Sequence, residues 1–317
     1  MVNGPVILLH SGKPEDDPKI RATILERFPD VTVHLAPTEE ALHAVIPETE
    51  ILFAWHFPVE LLPKFEKLRW FQIMGAGVDK IAAGPRLPPH VQITNLRGVF
   101  GPAMAEYAIA YMLAHLQDVR RILQAQAERR WEPFRPGRLE GKTVGVIGLG
   151  SIGREIVNRC AALGMRVVGV KREPSDVPNV ERVYTIDQID QVLPQVDFLV
   201  IVVPQTAATT GLLSRDRLQF LKRSCFLVNI GRGNVAREED LAEALRERWI
   251  AGAALDVFPV EPLPAESPLW ELDNLYLTPH MSGPNQPHEV VRVFLDNLDR
   301  YLRGEPLVNY VDLDRGY

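Results

Sequence analysis

Cysteine is nearly missing from this chain, with two residues among 317, Cys160 and Cys225. Neither belongs to a CxxC pair or a Cys/His cluster, which removes a disulfide scaffold and a thiolate metal centre from consideration. We expect no metal site and two inert core thiols. An excess of positive charge is missing as well. Lys and Arg number 35 against 41 Asp and Glu, a formal net charge of -6, so no basic face is offered to nucleic acid or to anionic lipid. A small anionic ligand would have to be gripped by a few placed cations. No uncharged apolar run reaches the length of a membrane span, and the first residues lack the basic start and long apolar core of a secretory leader. A cytoplasmic protein with no membrane partner is expected. No repeat of fixed period or low-complexity tract is visible. The apolar share of 46% and charged share of 24% are those of ordinary globular chains, and the length suits two domains.

What is present is alternation. Short apolar runs at residues 6–9, 31–35, 51–55, 70–74 and 91–96 are separated by helical patterns at 20–28, 39–45 and 59–65. Strand and helix in alternation predict a parallel sheet covered on both faces. A long amphipathic stretch follows at 103–131 and ends in the Pro- and Gly-punctuated segment 132–138, which reads as a connector. Six further apolar runs, at 143–147, 166–170, 198–203, 226–230, 251–257 and 275–277, suit a doubly wound dinucleotide fold. The final amphipathic stretch at 288–303 has no sheet of its own to cover and is expected to return to the first domain. We therefore expect residues 1–99 with 284–317 to form one α/β domain and 100–283 the other.

The chemistry begins at Gly148-Leu-Gly150-Ser-Ile-Gly153, a GxGxxG that closes one apolar run and opens the helical pattern 154–163. That context is what the motif requires. Gly148 permits the tight turn, Gly150 lets backbone approach a pyrophosphate, and Gly153 lets helix and strand pack closely. Ser151 and Ile152 lie at the helix start that would face the phosphates. A site for NAD ordinarily carries an acid about 20 residues further on, yet the next run ends in Lys171 and Arg172, with Glu173 behind them. Two cations there suit a 2′-phosphate. We expect NADP(H) to be preferred, with NAD(H) possible.

Three more candidates stand where apolar runs end: Arg232 in Asn229-Ile-Gly-Arg-Gly233, Glu261 in Asp256-Val-Phe-Pro-Val-Glu-Pro262, and His280 in Thr278-Pro-His-Met-Ser-Gly283. In an open parallel sheet, ligands collect at the carboxyl ends of strands. With these segments in this order and spacing, nearly the whole chain resembles the D-isomer-specific 2-hydroxyacid dehydrogenase family, and within it the glyoxylate/hydroxypyruvate reductase-like branch. The matching stretches are 75–79, 139–153, 229–233, 254–264 and 278–283.

The resemblance implies a Rossmann cofactor domain, a flavodoxin-like substrate domain and an active-site cleft between them. It implies that His280 is the acid/base, because imidazole titrates near neutral pH and can give a proton in reduction. Glu261 resembles its partner, since a carboxylate beside the ring favours imidazolium. Arg232 resembles the substrate arginine, whose planar fork can hold a carboxylate and polarise a carbonyl. Backbone N–H groups of Ala76 and Gly77, beside Gly75, would meet the substrate carboxylate. Asp256 and Ser282, with Gly283, would meet the nicotinamide carboxamide, and Val203, Pro204, Thr206 and Ile230 would lie along the cofactor. Trp55 and His56 would line the substrate pocket.

Gln205 departs from the family's leucine after Val-Pro, which puts one cofactor contact in doubt but not the chemistry. The chain stops at Tyr317, about a dozen residues after the last helical pattern, so we expect no regulatory tail domain and no feedback control by serine. The long stretch at 103–131 offers more apolar surface than one small domain would cover, and the family is dimeric, so a homodimer is expected. Formate dehydrogenases pair the histidine with glutamine, against Glu261. The alternatives are a phosphite-type dehydrogenase and a dinucleotide-sensing corepressor of the C-terminal-binding type, which would bind cofactor and a short peptide without turnover.

Overall fold

The computed structural model describes residues 4–55, 57–284 and 287–313; His56 lies outside them. The chain divides into two compact units, Met1–Phe100 with Asn285–Tyr317, and Gly101–Pro284.

In the first unit, strands β1 (Val6–His10), β2 (Thr32–Leu35), β3 (Ile51–Ala54), β4 (Trp70–Ile73) and β5 (Gln92–Thr94) form one parallel sheet in the order β2-β1-β3-β4-β5. That is the flavodoxin-like strand order. Every residue of β3 and β4 is buried and all but Gln72 are apolar, the signature of strands covered on both faces. Helices α1 (Asp17–Arg27), α2 (Glu39–Val45) and α3 (Asp79–Ala83) join them. The segment at 59–65 expected to be an α-helix is a 3-10 helix, Val59–Lys64, with Pro63 inside it, where proline withholds the N–H that an α-helix would use. The chain's last helix, Pro287–Leu302, belongs to this unit. It buries Val290, Val291, Phe294, Leu295 and Leu298, a stripe at helical spacing. Phe294 stacks on Phe53 at 4.0 Å and on Trp70 at 5.1 Å.

The second unit begins with α4 (Gly101–Leu116) and α5 (Val119–Ala127). The single helical stretch expected there is broken at Asp118, whose φ of 46° is left-handed. Strands β6 (Thr143–Ile147), β7 (Arg166–Val170), β8 (Arg182–Tyr184), β9 (Phe198–Ile201), β10 (Phe226–Asn229), β11 (Gly252–Leu255) and β12 (Leu275–Leu277) form a parallel sheet ordered β12-β11-β10-β9-β6-β7-β8. Helices α6 (Ser151–Ala162), α7 (Ile189–Val192), α8 (Arg215–Phe220) and α9 (Glu238–Arg246) join the strands. Reading from β8, this is the doubly wound dinucleotide order with one strand added at the far edge. The six expected runs are six of these seven strands. The seventh, β8, is a three-residue edge strand whose Arg182 is exposed, so it carries no apolar run to betray it. The order reverses between β6 and β9, and parallel strands put all their carboxyl ends on one edge; that switch point is where ligands bind in such sheets.

Both cysteines are free and buried, Cys160 on α6 and Cys225 just before β10. Burial pushes the Cys160 thiol up to about 12 and raises that of Cys225 as well, so neither is a reactive thiolate. Among the described residues no helix is long and apolar enough to cross a membrane, and no cluster of His, Cys, Asp and Glu could hold a metal ion.

Candidate active site

At the carboxyl end of β6, Gly148 has φ +104°, and a Cβ there would lie 2.5 Å from the carbonyl oxygen of Val202. A Cβ on Gly153 would lie 1.8 Å from the carbonyl oxygen of Gly148, so turn and helix approach as only glycines allow. Gly150 differs in kind. It is the N-cap of α6, makes no side-chain cap bond, and the place its Cβ would take is open. The first N–H groups of α6, at Ser151, Ile152 and Gly153, therefore head a helix of positive end-charge beside an unfilled space. Those are the features a bound pyrophosphate needs, and the loop fits a dinucleotide.

Lys171 follows β7, and its Nζ donates to Ser175 Oγ at 2.7 Å. Ser175 was not among the expected residues; it brings a hydroxyl to the cationic pair. Arg172 is exposed beside it. After β9, Val203 is buried, and Thr206 N–H donates to Thr209 Oγ1 at 2.9 Å while Thr209 Oγ1 donates to Pro204 O at 2.6 Å. Thr209 thus fixes the turn that carries Pro204 and Thr206.

Arg232 follows Ile230 at the end of β10 and is locked from three sides. A Cβ on Gly231 would lie 2.9 Å from Val203 N, and one on Gly233 would lie 2.0 Å from the carbonyl carbon of Phe258. Buried Asn229 completes the turn, accepting from Gly231 N at 3.1 Å and donating to Arg232 O at 2.9 Å. Phe258 N–H in turn donates to Glu261 Oε1 at 2.9 Å, and Glu261 Oε2 lies 2.8 Å from His280 Nδ1. The turn bearing Arg232 is thereby tied through Phe258 to the Glu261–His280 pair. Glu261 is 35% and His280 55% exposed, so the pair faces outward and stays reachable. Asp256, after β11, is fully buried; Thr278 Oγ1, Met281 N and Ser282 N donate to its carboxylate at 2.6, 2.8 and 2.8 Å. Gly283 follows on this loop.

In the first unit, Gly75 lies beneath the indole of Trp55: a Cβ at Gly75 would be 2.5 Å from that ring. Ala76 is half-buried and Gly77 exposed. Asn95 Nδ2 donates to Ala76 O at 2.9 Å, which leaves the 75–77 turn fixed at the end of β4. The structure thus groups the expected residues within each unit at strand ends.

Residues 109–282, more than half of the chain, match the family model for the D-isomer specific 2-hydroxyacid dehydrogenase, NAD binding domain. The chain belongs to this family. It is 33% identical over 269 residues to glyoxylate/hydroxypyruvate reductase A of Escherichia fergusonii, covering 83% of this chain and 86% of that protein. It is 31% identical over 298 residues to D-3-phosphoglycerate dehydrogenase of Methanocaldococcus jannaschii, covering 92% of this chain but spanning 57% of that relative's length. Among solved structures, the NADPH-dependent glyoxylate/hydroxypyruvate reductase of Sinorhizobium meliloti in complex with NADP and sulfate is 27% identical. It superposes with a TM-score of 0.90, covering 99% of this chain and all of that one. One more residue of this 2-hydroxyacid dehydrogenase was not anticipated. Tyr107 on α4 has its hydroxyl 2.6 Å from Thr278 Oγ1, and burial raises the Tyr107 phenol above its ordinary range.

Proposed function

We propose that this chain reduces a small 2-keto acid of the glyoxylate/hydroxypyruvate kind to the D-2-hydroxy acid, with NADPH preferred over NADH. The observation that carries this reading is the 2.8 Å contact between Glu261 and His280, on the sheet edge that also presents Arg232 and the Gly148–Gly153 loop. Two of the three relatives above are named glyoxylate/hydroxypyruvate reductases, in agreement with it.

The Ser151–Gly153 N–H groups would hold the pyrophosphate, and Lys171, Arg172 and Ser175 the 2′-phosphate. When bound, the nicotinamide supplies the hydride for the keto carbon. Every other requirement falls to side chains. Glu261 occupies His280 Nδ1, so Nε2 is the nitrogen that meets the carbonyl oxygen and gives it a proton. Arg232 grips the carboxylate and faces the charge that grows on the oxygen. The test is NADPH oxidation followed at 340 nm with a panel of small 2-keto acids. Sustained turnover with glyoxylate or hydroxypyruvate is expected, whereas cofactor binding without turnover on any of them would point to the corepressor reading.

Cofactor choice has its own test. Replacing Lys171→Asp with Arg172→Ser removes the charge-assisted contacts proposed for the 2′-phosphate. KM for NADPH should rise on the order of tenfold or more, with kcat little altered, because ground-state binding is what is lost. Equal efficiency with NADPH and NADH in the unaltered protein would refute the assignment.

The same reading makes the protein a cytoplasmic homodimer. Leu113 on α4, Ile122 and Leu123 on α5, and Trp131 beyond them are 37%, 42%, 58% and 96% exposed, an apolar run that a second copy can cover. Sedimentation should return twice the chain mass of 35.6 kDa; a monomer at working concentration would contradict this.

A further inference from the structure

The backbone of His280 is left-handed, with φ 51°, a conformation that a residue with a Cβ keeps only where its surroundings over-determine it. Those surroundings converge on Asp256. His280 N–H donates to the main-chain oxygen of Asp256 at 2.9 Å and contacts Thr278 O at 3.1 Å. The next two N–H groups, of Met281 and Ser282, go to the two carboxylate oxygens of the same residue. A fully buried carboxylate is tolerable only when its oxygens are well bonded, and the third donor is Thr278 Oγ1 at 2.6 Å. The hydroxyl of Thr278 has one hydrogen and spends it on Asp256. Its oxygen must therefore accept from the other close partner, and Tyr107 is the donor at 2.6 Å.

Resting on the reading that His280 is the proton donor, we propose that Tyr107, Thr278 and Asp256 are positioning residues that hold the His280 loop in its productive conformation. Tyr107 is well placed to anchor them. It is 9% exposed on a sixteen-residue helix, with its ring 4.5 Å from that of Tyr111. Its raised phenol stays protonated, and so a donor, through the neutral and mildly alkaline range. The relay thus fastens a loop of six residues, Thr278 to Gly283, to a rigid element that precedes the whole cofactor sheet in the chain. Neither Tyr107 nor Thr278 has to touch substrate for this to matter, because displacing a reacting group by about 1 Å can cost on the order of a hundredfold in rate.

The test uses the full chain with Thr278→Val, which replaces the hydroxyl by a methyl of similar shape, Thr278→Ser, which restores it, and Tyr107→Phe. In Thr278→Val, kcat for glyoxylate reduction should fall by roughly 10- to 100-fold while both KM values move by no more than about threefold. Thr278→Ser should return kcat to near its original value, and Tyr107→Phe should lower it in the same direction by less. Hydrogen exchange at the Met281 and Ser282 amides, which needs no turnover, should quicken by about tenfold or more in Thr278→Val and recover in Thr278→Ser. An unaltered protein inactive on every 2-keto acid would refute the proposed function but leave this exchange pattern standing. Amides that stay protected in Thr278→Val, or lose protection while kcat is unchanged, would overturn the relay. Should Thr278→Val fail to fold, Tyr107→Phe carries both measurements with the same criteria.

Discussion

His280→Ala is expected to lower kcat for 2-keto acid reduction by about 10²- to 10⁴-fold, the range a positioned proton donor contributes, with the affinity for NADPH nearly unchanged. The reason is that the alkoxide forming at the substrate must gain a proton as the hydride arrives, and the imidazole at the end of β12 is the group assigned to give it. Glu261→Gln should be milder. The glutamine keeps an amide in the place of the carboxylate, but its single oxygen can accept from only one of the two groups that Glu261 serves, Phe258 N–H and His280 Nδ1, so the charge and one acceptor are lost. Losing the charged partner should lower kcat for reduction on the order of tenfold, the worth of one charge-assisted hydrogen bond, with the affinity for NADPH unaltered. Steady-state rates on Glu261→Gln decide the matter: a kcat equal to that of the unaltered protein would withdraw Glu261 from any role beside His280.

Arg232→Lys comes next in size. Lysine keeps the positive charge but not the planar fork, and the backbone cannot shift to compensate. Gly231 is closed in by Val203 and Gly233 by Phe258, so the ammonium is left to reach from a fixed Cα. We expect kcat/KM to fall on the order of 10²- to 10³-fold, the size seen when one donor to a developing oxyanion is removed, with the affinity for NADPH unaltered. The loss belongs in both kcat and KM for the keto acid, because the same side chain is assigned to the carboxylate and to the carbonyl. Arg232→Ala should be partly rescued by added guanidinium and not by methylammonium, since only guanidinium offers the paired N–H groups. Turnover of glyoxylate by Arg232→Lys at the original rate would remove the residue from the site.

The fold was legible wherever a steric or burial requirement leaves a local trace. Gly148, Gly150 and Gly153 are such a trace, because a Cβ at the first would strike the backbone of Val202 beyond β9 and one at the last the carbonyl of Gly148 within the same strand–turn–helix unit. The apolar runs that became β3, β4, β6 and β10 are buried throughout, and a strand buried on both faces is written mostly in apolar residues, with Gln72, Thr143 and Asn229 as the buried polar members here. Where burial is partial, the trace fades. β8 has three residues and exposes one of them, and the break between α4 and α5 rests on a single left-handed residue, Asp118, that no glycine or proline announces. At the site, residues lying in short strand-end segments could be picked out one segment at a time. The partnership of Tyr107 with Thr278 could not, since the two stand 171 residues apart and Tyr107 belongs to no motif. Ser175 and Thr209 escaped for a related reason: their work is to bond a neighbour that carries the more conspicuous chemistry.

The most direct measurement follows the hydride itself. The protein is given hydroxypyruvate with NADPH deuterated at both C4 positions of the nicotinamide, and the product is analysed for deuterium and for configuration. The account predicts D-glycerate carrying one deuterium at C2, formed over many turnovers. A product without that deuterium, the L configuration, or NADPH bound and never oxidised would contradict it.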